Sequence, residues 1–369
     1  MKALKAIIAA LLTMSATLSQ AQSVTLYGII DTGVEYVSNV SNVGAGQQGL
    51  LRVPNLTATT PSRIGLRGSE DLGGGLRSVF MLESGFAPDS GALNQGGRMF
   101  GRIAYVGLSD HWGQVSFGRQ ATMLLWATLD SDILGANVYG ANALDNYRPN
   151  ARADNSIAYR GSFGAFTLGG TYSFGRDTVN AGQNPAGTNC AGEQAGDSLA
   201  CREWSLMVKY DTAAWGASLA YDTLRGGKGA AAGLSSSQLS DSRMLLGAYI
   251  KADRLKVGIG GSLRHNQGSA LSKSQLYYAG LSYDLTPTLN LAGQLYYLHY
   301  DDSANKAWLG ALRATYSLSA RTALYLTSGF IDNRGQSNLS VSAGGSVGTA
   351  NPAPGGNQFG MMAGIRHSF

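Results

Sequence analysis

The sequence predicts an all-β fold, a 16-stranded antiparallel transmembrane β-barrel, and three observations lead to it. Apolar and polar residues alternate over segments of roughly 9–11 residues, the length that a tilted strand needs to cross a bilayer. Beyond the N-terminal segment, no apolar run approaches the roughly 20 residues that a membrane-spanning helix needs. The chain also ends as an alternating strand, which can pair with the first strand and leave no open sheet edge in lipid.

The N-terminal segment has the three parts of a secretory signal peptide. Two lysines precede an apolar stretch that begins at Ala6, and small residues follow that stretch. Export removes such a segment, and the position of the small residues places the cut after Ala21. We therefore expect a signal peptide at 1–21 and one barrel domain at 22–369, with a buried N-terminal helix as the alternative.

The charge of the chain argues against nucleic acid as a partner. The formal net charge is +5, and removal of the two lysines of the signal peptide reduces it further. No run of basic residues occurs, so the chain lacks the basic patch that binding to nucleic acid requires.

Alternation defines two faces on each predicted strand. In 165–175, bulky apolar residues occupy one face and threonine, serine or glycine the other, and in 254–265 the second face also carries charges. A soluble β-sandwich alternates as well, with its apolar face turned toward a second sheet. Short turns alternating with long polar loops favour the membrane barrel, and so does an aromatic girdle at the strand ends. The girdle candidates are Tyr210, Trp215, Tyr221, Tyr283, Tyr296, Tyr297, Trp308 and Tyr316.

The strand map that follows has an even number of strands, as bacterial single-chain barrels do. The predicted strands are 23–37, 61–71, 75–86, 98–109, 113–120, 152–161, 165–175, 202–211, 214–224, 241–252, 254–265, 273–285, 288–301, 305–318, 321–332 and 357–369. The predicted long loops are 38–60, 87–97, 121–151, 176–201, 225–240, 266–272 and 333–356. These loops are rich in glycine, serine, asparagine and alanine, as solvated connections are.

Two cysteines, Cys190 and Cys201, lie close together in a polar segment. In an exported protein such a pair predicts a disulfide within one external loop, with two free thiols as the alternative. No histidine is nearby, and two ligands are too few for a zinc site.

Enzymatic motifs are missing from the sequence, and we expect no enzyme, no cofactor and no metal site. The four histidines lie on different strand ends and loops, and no Gly-x-Ser-x-Gly elbow or metal-ligand spacing involves them. They are His111, His265, His299 and His367.

Several segments together resemble one known family, the general diffusion porins of Gram-negative β-proteobacteria, of the Neisseria, Bordetella, Burkholderia and Comamonas type. The resemblance covers the whole chain after the signal peptide. It rests on 23–31 (SVTLYGIID), 62–76 (SRIGLRGSEDLGGGL), 105–108 (YVGL), 118–120 (GRQ), 155–159 (NSIAY), 319–325 (SARTALY) and 364–369 (GIRHSF).

The resemblance implies an assembly and a location. It implies a homotrimer of 16-stranded barrels in the bacterial outer membrane, in contact with membrane lipid and lipopolysaccharide. In each barrel, the third long loop, 121–151, would fold inward and narrow the pore. The C-terminal Phe369 would be the signal that the barrel-assembly machinery reads.

Lumen charges provide the candidate pore residues. Arg63 and Arg67 share one face of a predicted strand, and Arg152 and Arg160 share a face of another. Charges on a lipid face cost about 2–4 kcal/mol each near mid-membrane, so we expect these arginines in the lumen. The family resemblance implies a basic cluster at the narrowest section, and the matching positions are Arg63, Arg102 and Arg152. A wall position away from that section is the alternative for each arginine.

Loop 121–151 would supply the opposing, acidic wall through Asp130, Asp132 and Asp145, while Leu124, Leu125 and Trp126 could anchor it to the barrel. The Pro-Glu-Phe-Gly-Gly-like stretch that the family often carries in this loop is absent, so its path cannot be transferred from the family.

These residues predict a water-filled channel for passive diffusion of small hydrophilic solutes and ions, with a moderate preference for anions. A cationic wall facing an acidic loop produces a transverse field that orients a permeating solute. The alternative is a channel specific for a sugar or a phosphorylated solute. Its candidate lumen aromatics are Tyr249, Tyr278 and Tyr296, which sit on separate strands.

Overall fold

The computed structural model of the chain describes residues 23–42, 46–56, 59–135, 137–176, 190–345 and 350–369. The predicted signal peptide at 1–21 lies outside these residues. In chain order the strands are β1 Ser23–Asn42, β2 Gly46–Arg52, β3 Arg63–Gly73, β4 Leu76–Gly85, β5 Ile103–Asp110, β6 Gly113–Ala121, β7 Arg152–Phe163, β8 Phe166–Ser173, β9 Glu203–Asp211, β10 Trp215–Arg225, β11 Ser240–Ala252, β12 Leu255–Asn266, β13 Lys273–Asp284, β14 Leu289–Tyr300, β15 Lys306–Ser317, β16 Thr322–Arg334 and β17 Asn357–Ser368. The short helical segments are α1 Asn94–Gly97, α2 Met123–Thr128, α3 Ala141–Leu144 and α4 Tyr147–Asn150. None of these described helices is long and apolar enough to span a bilayer.

The sheet is antiparallel throughout and closes on itself. The N-terminal part of β1 pairs with β3, from Ser23 opposite Ser69 to Ile29 opposite Arg63. The rest of β1 pairs with the last strand, β17, where Gly33 lies opposite Gly364. Closure leaves no sheet edge in the bilayer, as hydrogen bonding in lipid requires. Predicted pairing of the first and last strands is therefore confirmed.

Sixteen strands, β1 and β3–β17, form the barrel, and each corresponds to a predicted strand. The remaining strand, β2, corrects the sequence analysis, which placed a loop at 38–60. It pairs with the outer end of β1, where Asn42 lies opposite Gly46. Its sequence, GQQGLLR, lacks the alternation of apolar and polar residues by which the other strands were recognised.

Side-chain exposure distinguishes the barrel from a sandwich. On β10, Trp215 and Leu219 are exposed on the outer face, while Ser218 and Asp222 point the other way and are buried inside. Large apolar side chains cover the outer face along most of the sheet, and among the most exposed are Leu246, at 61%, and Leu312, at 67%. An apolar exterior around a polar interior is the arrangement that a membrane barrel needs and a soluble sandwich reverses.

Aromatic pairs form belts at both ends of the apolar wall. At the end with the short turns, Tyr210 lies 4.9 Å from Phe166 and 5.0 Å from Trp215, measured between ring centroids. At the opposite end, the rings of Tyr297 and Trp308 stack at 4.3 Å. The predicted girdle position of Tyr296 is wrong, because this side chain points inward and is fully buried. It neighbours Tyr297 in sequence, and successive strand residues point to opposite faces.

Candidate functional site

The interior of the barrel is narrowed by loop 121–151, which lies against the inner wall. Helix α2 packs on β9 and β10. The Met123 amide donates to Ser205 Oγ at 2.9 Å, and Ser218 Oγ donates to the Ala127 carbonyl at 2.7 Å. Farther along, the Leu134 amide donates to Gln294 Oε1 on β14 at 2.9 Å. These bonds fix the loop inside the lumen, as the family resemblance implied.

Close contact between loop and wall depends on glycine. A Cβ at Gly258 would lie 2.2 Å from the carbonyl oxygen of Ser131, and a Cβ at Gly247 would lie 2.3 Å from Ser131 Oγ. No side chain fits at such distances, so glycine at these two inward positions allows the loop backbone to lie directly on β11 and β12.

Glu35 on β1 holds the far end of the loop. Its fully buried carboxylate accepts a hydrogen bond of 2.8 Å from the Tyr139 hydroxyl. Arg52 on β2 donates to the same carboxylate at 2.6 Å, and Ser342 Oγ from the loop before β17 donates to it as well. One buried charge thus joins the inward loop to two outer segments.

All three predicted loop carboxylates are paired with the barrel wall. Asp130 accepts from Lys209 Nζ on β9 and lies 4.0 Å from Lys256 Nζ on β12. The other two carboxylates are buried. Asp132 accepts from the Tyr296 hydroxyl at 2.9 Å, and Asp145 accepts from Arg243 Nε at 2.9 Å. The loop therefore presents little unpaired negative charge to the lumen.

The two buried carboxylates differ in their electrostatics. Burial raises the pKa of Asp132, because the hydrogen bond from Tyr296 and the charge of Arg148 compensate only part of the lost solvation. Burial also disfavours the charged form of Asp145, but Arg243 outweighs it and lowers the pKa of Asp145 to about 2. Asp145 is therefore the stronger anchor at neutral pH.

Arginines collect on the wall opposite most of these loop contacts. Arg63 at the start of β3 and Arg102 before β5 both bind Glu83 of β4, with Nε–Oε distances of 3.3 and 2.6 Å. Arg152 at the start of β7 interacts electrostatically with Arg63 and Arg102. The structure thus brings together the three arginines that match the family motif.

Sequence reasoning missed part of this arginine cluster, which we define as Arg63, Arg98, Arg102, Arg119 and Arg152 with the carboxylates Glu83 and Asp154. Arg98 and Arg119 bind Asp154 with Nη1–Oδ1 distances of 3.0 and 2.7 Å. Glu83 also accepts from the Tyr27 hydroxyl at 2.9 Å. The sequence did offer a signal for Glu83, because it is the one carboxylate on the largely apolar predicted strand 75–86 and so belongs in the lumen. Arg119 lies at a register shift in β6, which simple alternation does not reveal.

Two predicted lumen arginines lie outside the cluster. Arg67 is four residues farther along β3, toward the short turn, and its guanidinium lies 5.4 Å from the Tyr27 ring centroid. Arg160 is near the same end of β7 and packs 3.7 Å from the ring centroid of Trp126 in the inward loop. Both therefore lie nearer the short turns than the arginine cluster does.

The last residue completes the barrel seam. Phe369 and Gly28 exchange two backbone hydrogen bonds of 3.0 Å. A Cβ at Gly28 would lie 2.3 Å from the Phe369 ring, so the glycine leaves space for this terminal aromatic side chain.

The predicted disulfide between Cys190 and Cys201 is confirmed, with the two Cα atoms 5.2 Å apart. It lies at the end of the barrel with the long loops, where Cys201 N also donates to the Gly226 carbonyl of the next loop at 2.8 Å.

Known proteins with similar sequence and fold are porins. A family model described as Gram-negative porin matches residues 6–336. Outer membrane porin protein 32 of Delftia acidovorans is 30% identical over 378 residues, which cover 98% of this chain and 98% of that protein. An outer membrane porin protein of Bordetella pertussis is 36% identical over 238 residues, 61% of this chain and 60% of that protein.

Structural comparison agrees with the sequence matches. The anion-selective porin from Comamonas acidovorans superimposes with a TM-score of 0.70 at 26% identity, covering 94% of this chain and 100% of the other. The family match spans most of this closed barrel, including the inward loop and the arginine cluster. The chain therefore belongs to the Gram-negative porin family of outer-membrane proteins.

Proposed function

We propose that this outer-membrane porin is a general diffusion channel in which the arginine cluster gives small anions a moderate preference over cations. The carrying observation is a charge imbalance. Among the residues that the structure describes, this cluster combines five guanidinium groups with two carboxylates, Glu83 and Asp154, on the wall across from the inward loop. Fixed charge in a narrow section acts strongly on a permeating ion, because little water and salt lie between them.

The inward loop supports the same preference. Asp132 and Asp145 are buried in pairs with wall side chains, and Asp130 is bound to Lys209. Little free negative charge therefore remains to offer cations a competing path. The resemblance of the whole chain to an anion-selective porin points in the same direction.

Replacement of Arg63 and Arg152 by serine tests the proposal. In planar bilayers under a KCl gradient, the variant's reversal potential should shift toward cation preference, while its conductance persists. Arg67→Ser with Arg334→Ser is the matched control, since it removes two charges outside the arginine cluster. An equal shift in both variants would show that overall charge, and not this cluster, sets the selectivity.

Saccharide specificity is less well supported. The three candidate lumen tyrosines donate to or bond with fixed groups, namely Asp211, Ser131 and Asp132. Tyr278 and Tyr296 lie beneath the inward loop and so form no open aromatic track. We expect maltotriose to leave the ion current unchanged. Saturable block by this sugar would instead favour the specific channel.

We propose that the assembled form is a homotrimer that associates through the outer face of β1 and β3–β6. The aromatic belts support this choice of face. Every close aromatic pair in the described residues lies on or next to β8–β15, whereas the outer face of β1 and β3–β6 has only Tyr36 and Phe117 as exposed aromatic side chains. Girdle aromatics are needed where a strand meets the lipid interface, and a protein contact removes that need.

We propose further that the protein is a passive channel without enzymatic activity, that export removes 1–21, and that the remaining wall contacts lipid and lipopolysaccharide. The barrel-assembly machinery would read Phe369. Mass spectrometry of the membrane form should give a chain that begins at Gln22.

Deletion of Phe369 should lower the amount of folded barrel in the outer membrane relative to unfolded precursor, and an unchanged ratio would contradict this role.

A further inference from the structure

A second group of charged side chains lies on the lumen wall beside the short turns. Lys209 and Asp211 are at the end of β9, Lys251 is at the end of β11, and Lys256 is at the start of β12. All four share the inward face by alternation with the outward Val208, Ile250 and Ile259. Short turns face the periplasm in bacterial barrels, so this group lines the periplasmic mouth.

Two carboxylates beside this group are already engaged. Asp130 of the inward loop and Asp211 each bind Lys209, the latter with an Nζ–Oδ2 distance of 3.0 Å. Asp211 also accepts from the Tyr249 hydroxyl at 2.7 Å. Lys209 therefore has two carboxylate partners, and its role is to attach the loop to β9.

Lys251 and Lys256 differ from Lys209, because both are held against an aromatic ring. Their Nζ atoms lie 4.8 and 5.1 Å from the ring centroid of the same residue, Tyr249. Lys256 is 4.0 Å from Asp130, and among the described residues no carboxylate lies within ion-pair distance of Lys251. Lys251 and Lys209 both act on Lys256 as repelling charges. Two ammonium groups held on one ring attract any small anion that passes between them.

We propose that Lys251 and Lys256, positioned by Tyr249, form a second station for small inorganic anions, in series with the arginine cluster at the periplasmic mouth. This inference deepens the proposed anion preference and rests on it. An anion that passes the arginine cluster meets this lysine station before it reaches the periplasm. Chloride and inorganic phosphate have the chemistry that the station accepts, namely small size and negative charge without a need for shape recognition.

The test uses the direction of a salt gradient. Charges at a mouth are screened by the solution on that side, over about 10 Å at 0.1 M salt but only about 3 Å at 1 M. The variant Lys251→Gln with Lys256→Gln should therefore differ from the native channel mainly when 0.1 M KCl faces the periplasmic mouth. With 1 M KCl on that side, the difference in reversal potential should fall to less than half. A cysteine placed at Ser303 in an outer turn and labelled from one side assigns the orientation of each channel.

The matched control is Lys228→Gln with Lys273→Gln, which removes the same charge from the opposite end. It should leave the current unchanged when the dilute solution is periplasmic. Equal shifts in both gradient directions, or no shift at all, would overturn the lysine station. If the native channel itself shows no anion preference, the proposed function fails. If the native channel prefers anions but the lysine variant keeps the native reversal potential in both gradient directions, only the lysine station is wrong.

Discussion

At the scale of single residues, buried charges hold the pore loop in place. Glu35 joins the loop to β2 and to the segment before β17, and Asp145 joins it to β11. Buried ionic groups are costly unless their hydrogen bonds are satisfied. The loop position is therefore sensitive to the loss of any one partner.

Tyr139→Phe removes one donor to Glu35 without changing the shape of the side chain. A hydrogen bond to a charged group contributes about 1.5–3 kcal/mol, so we expect a loss of this size in the free energy of unfolding in detergent micelles. Tyr283→Phe on the exposed outer face is the control and should change stability little. Equal stability of the two variants would show that Glu35 does not hold the loop.

Asp145 predicts a pH dependence with a definite sign. Its folded pKa of about 2 is below the usual 3.8, so its contribution to stability is complete above about pH 4 and is lost as the pH falls through 2. The full contribution corresponds to about 2 kcal/mol. Asp145→Asn should remove this part of the acid sensitivity, measured as the difference in urea midpoint between pH 5 and pH 2. Asp302→Asn, in an exposed turn, should retain the native difference.

Residue-level prediction from the sequence succeeded where strand alternation was regular. It placed Arg63 on an inward face because Ile64 and Leu66 beside it alternate outward. It missed Arg119 at the register shift of β6, and it took Tyr296 for a belt residue although its neighbour Tyr297 has that position. A shift of one residue reverses the face of every side chain, so pattern alone fails wherever register is irregular.

At the scale of elements, the strands could be predicted from the sequence pattern, whereas the detailed paths of the loops could not. Lipid imposes a repeat of two residues on every membrane-crossing strand, and that repeat is visible in the sequence. No such constraint acts on β2, because it lies in the loop region. The same holds for the inward loop 121–151, whose path along the wall depends on individual hydrogen bonds and close glycine contacts. Those contacts arise from partners distant in sequence.

The disulfide belongs to an external loop and not to the barrel. Replacement of Cys190 and Cys201 by serine should leave the barrel resistant to SDS without boiling, because the strands satisfy their own hydrogen bonds. Faster cleavage by proteinase K, which needs no lysine or arginine, is the expected local effect within 176–201. Native-like protease resistance of the double variant would show that the bond does not constrain the loop, and loss of the folded barrel would show a wider role.

At the scale of the whole molecule, the outer surface is asymmetric. Aromatic belts follow β8–β15, and the opposite side, including β1 and β3–β6, largely lacks them. The arginine cluster stands inside this second side. The proposed trimer therefore places the selective wall of each pore next to the central axis.

Bulky substitutions test that arrangement. Leu66→Trp on the outer face of β3 should convert SDS-resistant oligomers to monomers at room temperature, because a tight interface cannot accept the larger side chain. Leu281→Trp on the outer face of β13 is the matched control and should leave the oligomer intact, since lipid adapts to it. Dissociation by the control alone would place the interface on the other side.

The most direct test of the central claim is the zero-current potential of the native channel in a KCl gradient across a planar bilayer. A water-filled barrel with excess arginine on the wall across from its inward loop predicts discrete conductance steps and a reversal potential with the sign of chloride preference. The preference should grow as both solutions are diluted at a constant ratio, because screening weakens. Absence of conductance steps, or a potassium-preferring potential that persists at low salt, would contradict the account.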